Sequence, residues 1–381
     1  MERWTKVMVL LGVGVLLAQE ESIGRLVVYD DLIDRFFQIK SWHTAPTHTT
    51  RPDTVAYLRA EGEIPPLTRF PNLQALYLSD IEDLDLTALV ARLQRECPKL
   101  RILALEDCDI EDPSPLAELK LQGLLLDENP ISNFQALRRF RGLKFLSLAR
   151  TPLTDLTWIT SLTTLQGLDI SETGISDLSP LTHLSQMRII SLYRCTAISD
   201  FSALLSLNAL EFINISHTNP LAAQPLLKSI YRFPQLKVLQ AQAAVSDASA
   251  LNALNSLSQV EELTLGQNPA ISNLDFVRNL RRLLYLDVHR CNVKDLSPLA
   301  GLPFLVKLSV GKNQITSIAP LVQCPRLREL YCYENPITDW EKLIEMPALT
   351  YVMLSKKDLP PERLAALRAQ LRKKGVQVDA P

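Results

Sequence analysis

The stretch LDISETGISDLSPLTHL, residues 168–184, decides the fold because the spacing of its apolar residues changes half-way along. Leu168 and Ile170 alternate with polar residues, as in a strand with one buried face. From Ile175 to Leu184 the apolar residues recur at every third position, which suits a 3₁₀ helix or coil better than an α-helix. The stretch therefore predicts a short strand followed by a tight return segment.

This pattern recurs along most of the chain. Thirteen units begin with the apolar spacing Leu-x-x-Leu-x-Leu or a close variant, and most are about 22 residues long. The units start at residues 73, 100, 121, 143, 165, 187, 210, 236, 260, 283, 305, 327 and 349. A degenerate unit precedes them at 55–72. A single unit cannot bury its own apolar face, so stacked units must form a common core.

These units resemble the leucine-rich repeat family in its 22-residue form, shared by bacterial internalin-type proteins and a eukaryotic phosphatase-regulator type. The resemblance covers roughly residues 55–371. It implies an α/β fold, a right-handed horseshoe solenoid with a concave parallel β-sheet and a convex side of mostly 3₁₀ helix and coil. The motif residues are structural, so the resemblance does not identify a partner.

Two recurring polar positions are predicted to support the backbone. Small side chains at the ninth position of a unit can form hydrogen bonds to the backbone of the turn that follows the strand. They are Asn129, Thr151, Thr173, Cys195, Asn268, Cys291, Asn313 and Asn335. An aspartate before the return segment is predicted to cap it rather than to bind metal. This aspartate occurs as Asp155, Asp177, Asp200, Asp295 and Asp339. In unit 165–186, Leu168 is predicted to be core, and Asp169 is predicted to be exposed.

Four regions are predicted along the chain. Residues 1–18 carry Arg3 and Lys6 before an apolar run, as in a signal peptide. Residues 19–54 are assigned to an N-terminal helical cap and linker, residues 55–359 to the solenoid and residues 360–381 to a C-terminal helical cap. Export to the periplasm or the exterior follows if the first region is a signal, and a cytoplasmic location if it is not. Within the solenoid, 86–97 and 226–233 are predicted to be helical.

Composition argues against several functions. The net charge of −2 gives no field that would favour nucleic acid. The six cysteines occupy core or ninth positions, which predicts buried free thiols rather than disulfides. The connection 41–54 carries His43 and His48 but no third metal ligand nearby. We expect no enzyme activity, no cofactor, no metal site, no membrane-spanning segment in the mature chain, and a monomer.

The residues that the repeat does not require are the candidates for function. Positions two, three, five, seven and eight of a unit are those that the repeat leaves free, and the candidates are taken from positions five, seven and eight. The acidic candidates are Asp80, Glu106, Asp107, Asp127 and Glu128, and the aromatic and basic candidates are Tyr193, Arg194, His217, His289, Arg290, Lys312, Tyr331 and Tyr333. Tyrosine and arginine are enriched at binding hot spots. The sequence therefore predicts a bacterial, exported scaffold that binds a protein partner on its concave face. The alternative is an intracellular regulatory subunit that docks on an enzyme such as a phosphatase.

Overall fold

The computed structural model describes residues 57–380. The predicted signal peptide, the N-terminal cap and linker, and His43 and His48 lie outside this range. The chain divides after Cys195 into two compact units. We call the described part of the first the N-terminal unit (57–195), and that of the second the C-terminal unit (196–380).

Each repeat contributes one short strand, and within each unit the strands are ordered as in the sequence and pair in parallel. The strands of the N-terminal unit are β1 Tyr57–Glu61, β2 Ala75–Ser79, β3 Ile102–Glu106, β4 Gly123–Leu125, β5 Phe145–Ser147, β6 Gly167–Asp169 and β7 Ile189–Ser191. Those of the C-terminal unit are β8 Phe212–Asn214, β9 Val238–Gln240, β10 Glu262–Thr264, β11 Tyr285–Asp287, β12 Lys307–Ser309, β13 Glu329–Tyr331, β14 Tyr351–Met353 and β15 Gln377–Asp379. The predicted parallel-sheet repeat fold is confirmed.

The core lies between the strands and the return segments. Equivalent leucines pair across neighbouring strands, as Leu146 does with Leu168, and both are fully buried. Leu181 closes the same layer from the return segment and is also fully buried. We call the sheet side opposite these leucines the open face, and the side formed by the return segments the return side.

The return segments are mostly 3₁₀ helices, as the three-residue spacing predicted. They are Leu67–Arg69, Ser114–Glu118, Phe134–Arg139, Thr157–Ser161, Ser179–His183, Ser202–Ser206, Ile230–Arg232, Ala248–Ser256, Asp275–Val277, Ser297–Leu299 and Ala319–Gln323. Asp177 accepts hydrogen bonds from the backbone N–H and the hydroxyl of Ser179, each at 2.8 Å. Asp339 departs from this role, because it accepts from Ser317 and Ile318 of the preceding repeat.

Within residues 57–380, four α-helices interrupt this pattern: α1 Leu86–Glu96, α2 Pro220–Lys228, α3 Lys342–Glu345 and α4 Pro361–Lys373. The first confirms the helix predicted at 86–97. The second begins earlier than the predicted 226–233, because Asn219 caps it through the Leu221 N–H and Pro220 occupies its first turn. Residues 230–232 are 3₁₀ instead. The fourth helix buries Leu364, Leu367 and Leu371 and is followed by β15.

The ninth-position ladder holds the turn that follows each strand. The Asn129 amide donates to the carbonyls of Leu105, Leu126 and Asp127 and accepts from the N–H groups of Cys108 and Ile110. Asn268, Asn313 and Asn335 repeat this arrangement. Buried backbone groups of the turn are thereby satisfied by one side chain, as predicted.

The residue before the ladder adopts a left-handed backbone. Twelve residues at the eighth position have φ between 49° and 60° although none is glycine. They are Asp80, Asp107, Glu128, Arg150, Glu172, Arg194, His217, Ala243, Gln267, Arg290, Lys312 and Glu334. This conformation costs a residue with a Cβ roughly 1 kcal/mol. The turn therefore determines the backbone conformation of seven of the thirteen predicted binding residues.

Asp169 corrects an expectation. It lies on the open face, as the alternation predicts, but it is only 6% exposed. Its carboxylate accepts a hydrogen bond from the Ser171 N–H at 3.0 Å, and from the Ser171 hydroxyl. Asp169 is therefore a buried structural group and not a solvated one.

Candidate functional site

The open face of the N-terminal unit does not carry the free acidic patch that the sequence predicted. Arg150 forms an ion pair with Glu128, and its guanidinium also lies 3.6 Å from Glu106 Oε1 and 3.8 Å from Glu172 Oε1. Glu106 also accepts a hydrogen bond from the Tyr77 hydroxyl. Arg150 stands at an eighth position between the acidic residues and partly neutralises them.

Asp127 is the clearest correction among the predicted binding residues. It is 2% exposed, accepts from the Ser147 hydroxyl, and accepts from the Ala149 N–H at 3.0 Å. A partner could reach almost none of its surface. Asp80 and Asp107 are half-buried, and their backbone N–H groups bond to the next strand, to Glu106 O and Asp127 O.

Tyr193 and Arg194 lie together at the last strand of the N-terminal unit. The Arg194 guanidinium is 5.1 Å from the centre of the Tyr193 ring, within cation–π distance. Tyr193 is only 5% exposed, and burial raises the pKa of its hydroxyl. Arg194 is exposed and lies 3.4 Å from Glu172. Arg194, rather than Tyr193, is accessible to a partner.

The C-terminal unit brings together a richer set, beginning with His289. Its Nδ1 lies 2.9 and 3.0 Å from the two carboxylate oxygens of Asp287. Gln242 donates to the same carboxylate at 3.2 Å. The imidazole ring lies across Gly266, where an added Cβ would come within 2.3 Å of Nδ1. Asp287 is 4% exposed, so a buried carboxylate fixes the His289 imidazole, and the ring packs against Gly266.

The Tyr333 ring packs against a glycine in the same way. Its ring lies over Gly311, and a Cβ there would come within 2.5 Å of the ring. The next eighth-position pair is Lys312 and Glu334, with 3.3 Å between Nζ and Oε1. Arg290 is exposed and His217 is half-buried. The predicted residues of this unit therefore include two rings fixed by glycines.

The third positions of four successive repeats, which begin the adjacent strands β11 to β14, place Tyr285, Lys307, Glu329 and Tyr351 in one row. Lys307 Nζ lies 5.4 Å from the Tyr285 ring centre and 3.4 Å from Glu329 Oε2. It also lies 5.1 Å from the ring centre of the predicted residue Tyr331. We call these five residues, with Asp379, the tyrosine–lysine cluster.

Hydrogen bonds fix the ends of the cluster. The Tyr331 hydroxyl donates to Glu329 at 3.1 Å, and the Tyr351 hydroxyl donates to Asp379 at 2.9 Å. The Tyr331 and Tyr351 ring centres are 5.3 Å apart. Burial, with the Asp379 carboxylate beside it, raises the pKa of Tyr351 to about 12. The tyrosines therefore stay neutral at physiological pH and present half-buried rings in fixed orientations.

The binding residues predicted from the sequence include Tyr331 but not Tyr285, Lys307 or Tyr351. These three occupy the third position, which precedes a buried leucine or valine and also faces outward. The signal was present in the repeat alignment, because large aromatic or charged residues stand there in consecutive units. Position three was among the free positions, but no candidate was chosen from it, and this row was therefore missed.

Within residues 57–380, no three histidine, cysteine, aspartate or glutamate residues converge as a metal site. None of the helices described is both long and apolar enough to cross a bilayer.

Comparisons with known proteins agree with this geometry. Residues 303–345 match the family model described as leucine rich repeats in two copies. An internalin (inlF) from Listeria monocytogenes is 25% identical with a TM-score of 0.61, over 79% of this chain and 87% of that chain. No curated protein matches the chain at a significant level. The fold is that of a leucine-rich repeat protein.

Two further leucine-rich repeat structures share the fold. One, from Leptospira interrogans, is 19% identical with a TM-score of 0.59, over 86% of this chain and 96% of that chain. The other is the ectodomain of the Arabidopsis thaliana receptor kinase GASSHO1/SCHENGEN3 in complex with CASPARIAN STRIP INTEGRITY FACTOR 2. It is 18% identical with a TM-score of 0.54, over 85% of this chain and 43% of that chain. The predicted resemblance to internalin-type leucine-rich repeats is confirmed at the level of the fold.

Proposed function

We propose that this leucine-rich repeat chain is a non-catalytic scaffold that binds a protein partner on an open face, with the tyrosine–lysine cluster as the main contact. The observation that carries the proposal is the fixed orientation of Tyr331 and Tyr351, whose hydroxyls are tied to Glu329 and Asp379. Rings that are ordered before binding lose little conformational entropy on association. Tyrosines in such settings are frequent hot spots.

The surrounding charge favours a protein over a polyanion. Lys307 is paired with Glu329, and Lys312 with Glu334, so these cations do not form an uncompensated basic strip. The net charge of the chain is −2. Nucleic-acid binding relies on many cations that neutralise phosphates. A folded protein or peptide with its own polar and apolar groups fits this face better.

The test begins with affinity capture of a partner from an extract of the native host, using the whole chain as bait. The affinity for that partner is then measured, from association and dissociation rates, for the double variant Tyr331→Ala with Tyr351→Ala. Loss of two hot-spot rings should weaken binding by roughly 30-fold or more. Leu221→Ala is the control, because Leu221 is 76% exposed on the return side. Wild-type affinity of the double variant with loss of binding in the control would reject the open face.

We also propose that the protein is bacterial and exported, on the strength of Arg3 and Lys6 before the apolar run 7–18. The competing proposal, an intracellular regulatory subunit, draws support from six buried free thiols, which suit a reducing compartment. Mass spectrometry of protein from its host separates them. A mature start near Gln19 in an exported fraction supports export, and an intact Met1 in the cytosol supports the regulatory subunit.

A further inference from the structure

A cleft of about 630 Å³ opens on the return side of the C-terminal unit, away from the residues considered above. It lies where two successive repeats, 210–235 and 236–259, are longer than the usual 22 residues. The first inserts α2, and the second carries the longest 3₁₀ helix of the described chain, Ala248–Ser256. The extra residues thus build a feature that the repeat itself does not need.

Neutral groups line this cleft. Its eight lining residues, all in the described range, include no charged side chain. They include Tyr231, Pro234, Asn252, Asn255, Ser256 and Gln259. A ligand that depends on ion pairs would find no partner among them. The lining offers hydrogen bonds from amides and hydroxyls and one aromatic surface.

Tyr231 provides that surface. Its side chain is 58% exposed, whereas the equivalent position of unit 165–186 holds Thr182. The described residues offer its hydroxyl no hydrogen-bond partner in the structure. The ring therefore presents a face and a polar edge to the solvent.

The amides next to it are also unused. Neither the Asn252 nor the Asn255 side chain hydrogen-bonds to any group within residues 57–380. Gln259 uses its N–H to bond Pro234 O at 2.8 Å, and this contact fixes the cleft wall. Two unpaired amides beside an exposed ring can bond a ligand that carries many hydroxyls, since an amide both donates and accepts.

From these observations we propose that the Tyr231 cleft binds a neutral oligosaccharide. A pyranose ring has an apolar C–H face, which stacks on Tyr231, and a rim of hydroxyls, which Asn252 and Asn255 bond. The volume lies within the usual range for small-ligand sites, about 300–1,000 Å³. This site is independent of the protein-binding face.

Calorimetric titration of the whole chain tests the proposal, with maltohexaose, cellohexaose and chitohexaose as neutral probes and a galacturonic acid hexamer as the acidic one. At least one neutral probe should bind, and more tightly than the acidic one. Tyr231→Ala should weaken that binding by about tenfold, whereas Tyr231→Phe keeps the ring and should stay within about threefold. The double change Asn252→Ala with Asn255→Ala should weaken it by about tenfold.

Two controls assign the outcome to the cleft. Leu221 is 76% exposed on α2 and is not among the lining residues, so Leu221→Ala should bind as wild type does. Tyr331→Ala alters the protein-binding face and should also leave saccharide affinity unchanged. The proposal is overturned if no neutral probe binds, if the acidic probe binds more tightly, or if Tyr231→Ala retains wild-type affinity. Loss of a captured protein partner in Tyr231→Ala, without saccharide binding, would assign the cleft to a protein instead.

Discussion

At the scale of single residues, Glu262 stands out in the C-terminal unit as a buried carboxyl group with a raised pKa. It occupies the third position of its repeat, at the start of β10, between Val238 and Tyr285, and it is only 5% exposed. Burial raises its pKa to about 7, the neighbouring Glu261 adds to the shift, and Lys307 opposes it. Its carboxyl is thus protonated in the folded protein at pH values where an ordinary glutamate is ionised.

We predict that stability falls as pH rises from about 4.5 to 7, because the folded state then retains a proton that the unfolded state has lost. The loss is complete above the folded pKa and amounts to about 3 kcal/mol. Glu262→Gln should remove this slope and be more stable than wild type at pH 8. Urea unfolding at pH 5 and pH 8 measures the effect, with the exposed Glu334→Gln as control. Equal pH slopes for wild type and Glu262→Gln would contradict it.

The exposure of two aspartates was predicted wrongly from the sequence, for one shared reason. Alternation along a strand assigned Asp127 and Asp169 correctly to the open face. It did not reveal that each carboxylate accepts bonds from neighbouring groups, from Ser147 and Ala149 and from Ser171, and is thereby buried. The burial of these carboxylates depends on how side chains pack, including those of adjacent repeats. The periodicity of one strand carries no information about that packing.

At the scale of elements, spacing alone predicted the strands, the 3₁₀ returns and α1. The start of α2 was missed because the prediction followed apolar residues, whereas Asn219 and Pro220 determine where the helix begins. The left-handed turn was missed as well. Glycine is the usual marker of that conformation, and no glycine occupies the eighth position of these repeats.

The left-handed turn gives a direct prediction at Ala243, where φ is 49°. Ala243→Gly should stabilise the protein by about 0.5–1 kcal/mol, because glycine adopts this conformation without the steric penalty of a Cβ. Ala366 in α4 is a matched control with ordinary helical geometry. Ala366→Gly should destabilise by about 1 kcal/mol. Chemical denaturation compares the two, and a loss of stability in Ala243→Gly would count against the turn geometry.

At the scale of the whole molecule, all six cysteines lie in the described range and are free and buried, as predicted. Burial raises the pKa of Cys97 and Cys108 to about 11 and that of Cys291 to about 12. The pKa values of Cys195, Cys324 and Cys332 are also raised by burial. The thiolate is the reactive form, so the folded chain holds its thiols in an unreactive state.

We predict that iodoacetamide at pH 8 modifies none of the six thiols in the native protein and all of them in denaturant. Intact-mass spectrometry counts the adducts. A small accessible thiol, glutathione, added in the same reaction confirms that the reagent is active. Rapid native labelling of even one cysteine would show that its repeat opens at low cost.

The glycines beneath His289 and Tyr333 have an evolutionary consequence. Each ring belongs to one repeat, but the space that it occupies is provided by the repeat before it, at Gly266 and Gly311. One nucleotide change in a glycine codon gives alanine, and the new methyl group would push the ring upward into whatever is bound. A lineage could therefore alter its recognition surface without replacing any residue that touches the partner. Drift at these two inconspicuous sites would then separate paralogues in specificity before their contact residues diverge.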